Sequence, residues 1–554
     1  MHLAPSTAWV WLIACAVVIL FFPLAAQFGN LKGKLSSFRT WVWAIALLGI
    51  VTAGFMAFIF DADITHFEVQ PFIFFITGTL LGVLFLGEFH RMNTQKKLKH
   101  PQRVHAERRT RYSKAVEHLA YPNPAVRASA ISTLAGLVDE WLADEQLSVE
   151  ARQKEGQVIV NALCAYVRSP FARAFKAEAF ESDTPPANYA GDFATDLAAF
   201  RGEQDVRRSV FVEMSKRSST LAENEKGEVA VVPGAWSGFE FDFSRTVVFY
   251  PLDGLTIENA DFSAAKFCNG SDFSGAAFVG TVDFSRATFG EIVGFGDATF
   301  TGDANFSHAT FTRSANFGGA SFMQNAHFAG VKFMQNAHFG GVKFTQDTNF
   351  SGAAFIQNAS FGGVNFARNA DFSWAVFAQN AHFIGAVFGQ IADFNGATFT
   401  QDARFSETAF AQVARFKWAT FTQTADFSEA AFAQGADFSE ATFEADAEFY
   451  GASFMGAADF CDVSFVKNPP VFAVEDADSG EMRRARFAAL PTGSEAVGQE
   501  AHNFAVYEDS QPIPLGTAIL NGVGYRIPVR AVLFDPMSWD ARQKEYMRLS
   551  EPAQ

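Results

Sequence analysis

From Phe262 to Phe465 a phenylalanine recurs after five residues, then six, then five again, through thirty-eight positions without a gap. The pairs begin at Phe262/Phe267 and Phe273/Phe278 and end at Phe449/Phe454 and Phe460/Phe465, so the period is eleven residues, repeated nineteen times. On an α-helix, steps of five and six rotate by about 140° and 240° once whole turns are removed, which splits the rings between two stripes. In a continuous strand a step of five reverses the face while a step of six keeps it, so a flat strand scatters them as well. A chain that turns a corner between consecutive rings aims all of them at a common axis, and such a chain is a solenoid.

A second pattern agrees with the first. Two residues before every ladder phenylalanine stands a small residue, from Ala260 and Ala265 to Val463: twenty-nine of the thirty-eight are Ala, and the others are Ser, Val or Thr. With a neighbouring backbone about 4.8 Å away at sheet spacing, small side chains there allow coils to stack tightly. The opposing reading, an Ala-rich helical bundle, is disfavoured by the frequent Gly, Asn, Asp and Ser between the rings.

Runs such as Ala260-Asp261-Phe262-Ser263-Ala264, Ala425-Asp426-Phe427-Ser428-Glu429 and Ala436-Asp437-Phe438-Ser439-Glu440 resemble the pentapeptide-repeat family. The resemblance implies a mainly β solenoid, a right-handed quadrilateral β-helix in which the central Phe and the preceding Ala point inward. This chain departs from the plain twenty-residue coil of that family, because every second pentad carries an extra residue, for example Gly270 or Asn325. Four sides then require about 22 residues per coil, and thirty-eight sides make about nine and a half coils, or roughly 45 Å of rod.

The N-terminal ninety residues follow a different pattern. Three long uncharged stretches, 8–28, 41–60 and 69–87, are each long enough to cross ~30 Å of hydrocarbon, so residues 1–90 predict three transmembrane helices. The first loop carries Lys32, Lys34 and Arg39, whereas the second carries Asp61, Asp63 and Glu68 without a Lys or Arg, which orients the first loop to the cytoplasm. Residues 91–111 form a basic juxtamembrane segment with Arg91, Lys96, Lys97, Lys99, Arg103, Arg108, Arg109 and Arg111 against one acid, Glu107, which places the C-terminal domains inside. A cleavable signal peptide ending near Leu24, Ala25 and Ala26 competes for the first stretch, but no basic region precedes it.

Between anchor and rod the apolar period becomes helical. Residues 112–170 include Asn123-Pro124-Ala125-Val126-Arg127, a helix start with proline in the first turn, and the segment resembles a HEAT-type helical repeat. Residues 171–235, with Thr184-Pro185-Pro186, predict a linker with a short helix at 204–215. Trp236, Phe239, Phe241, Phe243, Phe249 and Leu255 predict an N-terminal cap over 236–261, as a solenoid end requires. The β-helix itself is expected over 262–465. The ladder is expected to stop there, leaving 466–554 as C-terminal cap and tail, with a closing helix at 482–490.

Composition narrows the chemistry. The chain has 554 residues, 49% of them hydrophobic, with a formal charge of −16 and a pI near 5.2. Its four cysteines, Cys15, Cys164, Cys268 and Cys461, form no paired motif. His327, His338 and His382 each precede a ladder phenylalanine, yet no two are separated by one coil, so no metal, cofactor or catalytic site is expected. Glycines near 317–343 lack the strand, loop and helix order of a phosphate loop. Glutamines 324, 335, 346, 357, 379, 390, 401, 412, 423 and 434 occupy one repeat position, interrupted only by Arg368, and predict stacked amide columns.

The acids are uneven. Residues 426–462 hold Asp426, Glu429, Asp437, Glu440, Glu444, Asp446, Glu448, Asp459 and Asp462 with no Lys or Arg, whereas 304–370 hold four bases and one acid. A basic protein partner at the acidic end is one expectation. The leading functional expectation is a non-enzymatic, multi-pass scaffold in a bacterial cell membrane, its spans and basic collar meeting the lipid bilayer and its cytoplasmic rod presented to another protein or pairing as a homodimer, without direct nucleic-acid binding. The alternative, carried by the family resemblance, is a mimic of duplex DNA that modulates a type II topoisomerase; residues 262–465 carry nineteen acids and nine bases, a compatible field.

Overall fold

A computed structural model describes residues 70–223, 229–268, 271–291, 293–476, 480–490 and 502–554. The chain divides into two compact units, 1–111 and 112–554. The expected spans 8–28 and 41–60 lie outside the described residues. The third falls, from Gln70 onward, in helix α1 (Gln70–Leu119), where Phe85 and Phe89 are exposed and stack at 6.5 Å. Among the described residues no helix is long and apolar enough to cross a membrane, so the transmembrane part of the expected fold has no support from the structure.

The second unit is a β-solenoid with a helical end. From Thr299 to Phe465 each full coil carries four two-residue strands, as in Thr299–Phe300, Ala304–Asn305, Thr310–Phe311 and Ala315–Asn316, which define sides one to four. Each strand pairs in parallel with the one 22 residues on: Thr299 with Ser321, Ala304 with Ala326, Thr310 with Lys332, Ala315 with Ala337. Two kinds of corner explain the five and six alternation. In the five-residue step, Phe306 C=O accepts from Ala309 N at 3.0 Å and His308 between them has φ 59°, the left-handed third residue of a tight turn. The six-residue step spends its extra residue on an open bend.

The rings form the core. All thirty-eight ladder phenylalanines are at most 1% exposed. Each stacks face to face on the ring one coil away, as Phe355 does on Phe377 at 4.8 Å and 1°, and meets rings of other sides edge-on, as Phe361 does Phe372 at 5.4 Å and 87°. The edge-on contacts satisfy the ring quadrupole and the parallel contacts follow from the coil spacing, so one residue type serves every side.

The two ends differ from the sequence expectation. Strands Phe241–Asp242 and Val247–Val248 already pair with Ala260 and Lys266, nineteen residues on, so coiling begins inside the stretch expected as a cap. The end is closed by a helix from the stretch expected as a linker. Helices α2 (Pro124–Leu142) and α3 (Val149–Arg168) pack with α4 (Phe193–Ser215), which is far longer than the expected 204–215 helix. Phe211 of α4 lies on Phe243 at 4.6 Å, and Phe200 lies on Phe249 at 5.1 Å, extending the aromatic stack into the helical module.

At the other end the ladder does not stop at 465. Phe472 stacks on Phe449 at 5.2 Å, Phe487 on Phe454 at 4.8 Å and Phe504 on Phe460 at 5.9 Å. Insertions, including the antiparallel pair Ala473–Glu475 and Met482–Arg484, break the sequence period while the ring positions persist. The helix expected at 482–490 is absent for this reason: Met482–Arg484 and Arg486–Ala488 are strands, and Phe487 completes the coil above Phe454.

Candidate functional site

The ladder residues Phe262, Phe267, Phe273, Phe278, Phe449, Phe454, Phe460 and Phe465 are all core, so whatever this rod contacts, it contacts between the rings. The nine acids of 426–462 are distributed around its whole girth. Asp426 and Glu448 are neighbours in one column of side four, and Asp437 and Asp459 in one column of side two. Glu429, Glu440 and Asp462 occupy left-handed corner positions. Glu444 and Asp446 lie between sides three and four, where Asp446 accepts from Asn468 Nδ2 at 2.7 Å.

Local geometry gives several of these carboxylates structural work. Asp426 Oδ1 accepts from Ser428 N at 2.9 Å and Ser428 Oγ at 2.6 Å, Asp437 accepts likewise from Ser439, and Asp459 accepts from Cys461 N at 2.9 Å. Each closes its own corner as an Asx-turn. The coil also brings bases to these acids that the sequence stretch lacks. Arg404 stands one coil below Asp426, Arg415 below Asp437, and Lys417 Nζ lies 3.1 Å from Glu440. The net field is therefore softer than nine acids in thirty-seven residues suggests.

One acidic cluster stands out on side four. Asp402, Arg404, Thr424, Asp426 and Glu448 line a shallow groove. Burial, followed by the charges of Asp426 and Asp446, holds the Glu448 carboxyl above its ordinary range. His382 lies in the same column two coils below Asp426, and burial with the nearby Arg404 depresses its imidazole pKa. Among the described residues no group of three or more His, Cys, Asp or Glu is arranged to hold a metal ion. Cys164 is buried, its thiol pushed up to about 12.

The glutamine columns do not form as expected. These side chains sit half-exposed or exposed at the open bends, and among the described residues none bonds another. The position one residue later makes the ladder instead: Asp303 Oδ1 accepts from Asn325 N, Asp347 Oδ1 from Asn369 N, and Asn369 Oδ1 from Ile391 N, at 3.1–3.4 Å. A short side chain beside the backbone reaches the next coil's N–H, whereas a glutamine is carried past it.

A ridge that sequence reasoning passed over runs along the tight corners. Every eleventh residue from Ala264 to Asp462 has positive φ, and nine of these nineteen are glycine. Along the corner between sides two and three the series reads His308, Gly330, Gly352, Trp374, Gly396, Trp418, Glu440, Asp462. A bulky side chain in left-handed backbone is uncommon and costs energy. Yet Trp374 is 64% exposed and Trp418 48% exposed at just such positions. Trp374 lies over Gly396, where an added Cβ would clash with its ring. Trp418 Nε1 donates to Glu440 at 2.9 Å while Lys417 Nζ sits 4.7 Å from its ring centroid. The signal was available: these are the two tryptophans of the whole repeat region.

Comparison with known proteins agrees with this geometry. Residues 295–339, 328–373, 375–420 and 416–464 match the family model for pentapeptide repeats, nine copies. The chain thus carries pentapeptide repeats folded as a β-solenoid of 22-residue coils, an architecture commonly used for non-enzymatic scaffolding and interaction. No curated protein and no solved structure gave a match.

Proposed function

We propose that this protein is a non-enzymatic scaffold, held at a membrane by its N-terminal apolar segments, whose rod offers its outer surface to another protein on the cytoplasmic side. The observation that carries the reading is the division of labour within each repeat. The inward Phe and small residues hardly vary, while outward positions range over Lys, Thr, Val, Asn and His in otherwise equivalent strands. Such a surface can be shaped for a partner without disturbing the core. The anchor rests on the three uncharged stretches, on the basic run after residue 90 and on the exposed Phe85 and Phe89 just before it.

Crosslinking and pull-down from intact membranes tests the partner. A basic protein should be recovered with the native chain and lost when Glu429, Glu440, Glu444 and Glu448 become glutamine; an unchanged partner list defeats the acidic docking surface. A reporter active only outside the cytoplasm, fused after Gln554, should stay silent. The topoisomerase reading rests on the excess of acid over base in 262–465, but Arg404, Arg415 and Lys417 interrupt the acidic columns at one-coil spacing. It requires that the purified chain alter supercoiling by a type II topoisomerase; no change at micromolar concentration excludes it.

A further inference from the structure

Trp374 and Trp418 are equivalent corners two coils apart, and Gly396 lies midway between them on the same ridge. A two-fold axis through Gly396, perpendicular to the rod, exchanges the coil of Trp374 with that of Trp418. It also exchanges the coil of Gly352 with that of Glu440, and the coil of Gly330 with that of Asp462. The same axis separates the base-rich stretch 304–370 from the acid-rich stretch 426–462. Two independent features, an exposed aromatic pair and a charge gradient along the rod, thus share one centre.

We infer that this ridge is a self-association surface, and that its occupant is a second copy of this chain laid antiparallel, with sides two and three of each rod adjoining their counterparts. The pairing follows from register. On side two, Arg415 comes opposite Asp371 of the second copy and His327 opposite its Asp459, while Asn349 faces its Asp437. On side three, Lys332 lies on the coil that faces the second copy's Asp462, and exposed Val376 faces its Thr420. At the corner itself the bare Gly352 faces Glu440, so small meets large, while Gly330, under the His308 ring, faces Asp462. The like charges at the axis, the two Asp393 groups, are each within 3.4 Å of their own Arg415. A parallel arrangement would instead set the acidic coils of both copies side by side. Seven corners from Gly330 to Asp462 give a contact about 29 Å long at the sheet spacing. A narrow seam of this kind suits reversible pairing rather than an obligate dimer.

Nature has placed a reporter at the seam. Cys461 immediately precedes the corner Asp462, and the equivalent residue on the facing coil is Ala329. In the full-length chain in mild detergent, Ala329→Cys should give a dimer-sized adduct with a short bifunctional thiol reagent. Adding Cys461→Ser should remove it, and Trp374→Ala with Trp418→Ala should reduce it. Sedimentation velocity should show a monomer–dimer equilibrium weakened at high salt and at least tenfold weaker in the double tryptophan variant, as loss of two central aromatic anchors predicts. An adduct that survives Cys461→Ser overturns the antiparallel register. A chain that stays monomeric at tens of micromolar overturns the surface itself, as does a dimer indifferent to the tryptophans in a variant whose melting is unchanged.

Discussion

The helical end and the rod reach burial by opposite routes. In the helical end every buried polar contact is unique: Arg207, 2% exposed, donates to Glu203 Oε1 at 2.7 Å, to Val167 O at 2.6 Å and to Ser169 O at 2.8 Å. Arg127 Nη2 and Tyr166 Oη complete the same knot, both donating to Glu203. In the rod one contact is repeated, a phenylalanine on a phenylalanine, and the backbone N–H groups of each coil donate to the coils on either side. Repetition spreads stability over many equal terms, each dependent on its nearest neighbours. The knot concentrates it in one place, where removal of a single member leaves a buried charge exposed to a low dielectric.

Two substitutions probe that contrast at full strength. Arg207→Ala leaves Glu203, 6% exposed, with Arg127 and Tyr166 alone and frees the Val167 and Ser169 carbonyls, and is expected to destabilise the helical end by about 3 kcal/mol. Fluorescence of Trp141 and Trp236 should lose its urea midpoint at lower denaturant while amide exchange in the distant coils is preserved. Phe361→Ala removes one ring between Phe339 and Phe383, which the sheet register holds apart, so the cavity cannot collapse. The expected cost is about 3–5 kcal/mol, read as faster amide exchange in the coils around it. Equal loss of protection from Phe241 to Phe487 would mean the rod behaves as one unit and erase the contrast.

A smaller effect sharpens the rod's own rule that inward small positions be apolar. Thr348 and Thr408 are both buried there. Thr408 Oγ1 donates to Phe383 O at 2.8 Å, whereas Thr348 Oγ1 has no partner. Thr408→Ala should cost about 1 kcal/mol, because the Phe383 carbonyl keeps its bond from Ala386; Thr348→Ala should be neutral or stabilising by about 1 kcal/mol. Equal changes in thermal midpoint would refute the distinction.

The smallest effect concerns pH. Glu448 has its carboxyl pKa raised in the folded chain, so the folded state holds its proton more tightly than the unfolded one. Its penalty is full above the raised pKa and vanishes below the ordinary glutamate value. Glu448→Gln should therefore raise the melting temperature at neutral pH, and the gain should fade as the solution is acidified through that window. A gain independent of pH would assign the effect to packing.

Much of the rod was legible because its contacts are local in register. A side chain at one position meets its own kind 22 residues away, so the pattern that builds the core is the pattern printed along the chain, as at Phe355 and Phe377. Legibility failed where insertion broke the count. Phe472, Phe487 and Phe504 belong to the stack, but hairpins and loops between them hide the interval. It failed again at the acids, since Arg404, Arg415 and Lys417 approach them only across coils. The tryptophan corners were visible as residues and invisible as a ridge, because their left-handed backbone is a property of the turn.

By itself the alternation of five and six determined a solenoid with its rings inward; the resemblance to pentapeptide repeats supplied four sides, and the observed register gives the 22-residue coil. Tertiary structure alone decided what closes the ends and what faces out. Helix α4 became the lid because Phe211 finds Phe243 across more than thirty residues and Gln204 Nε2 donates to Phe249 O across 45. Contacts set by a repeated interval can be read from the chain, whereas contacts made once, between segments of unrelated sequence, depend on shapes that exist only after folding.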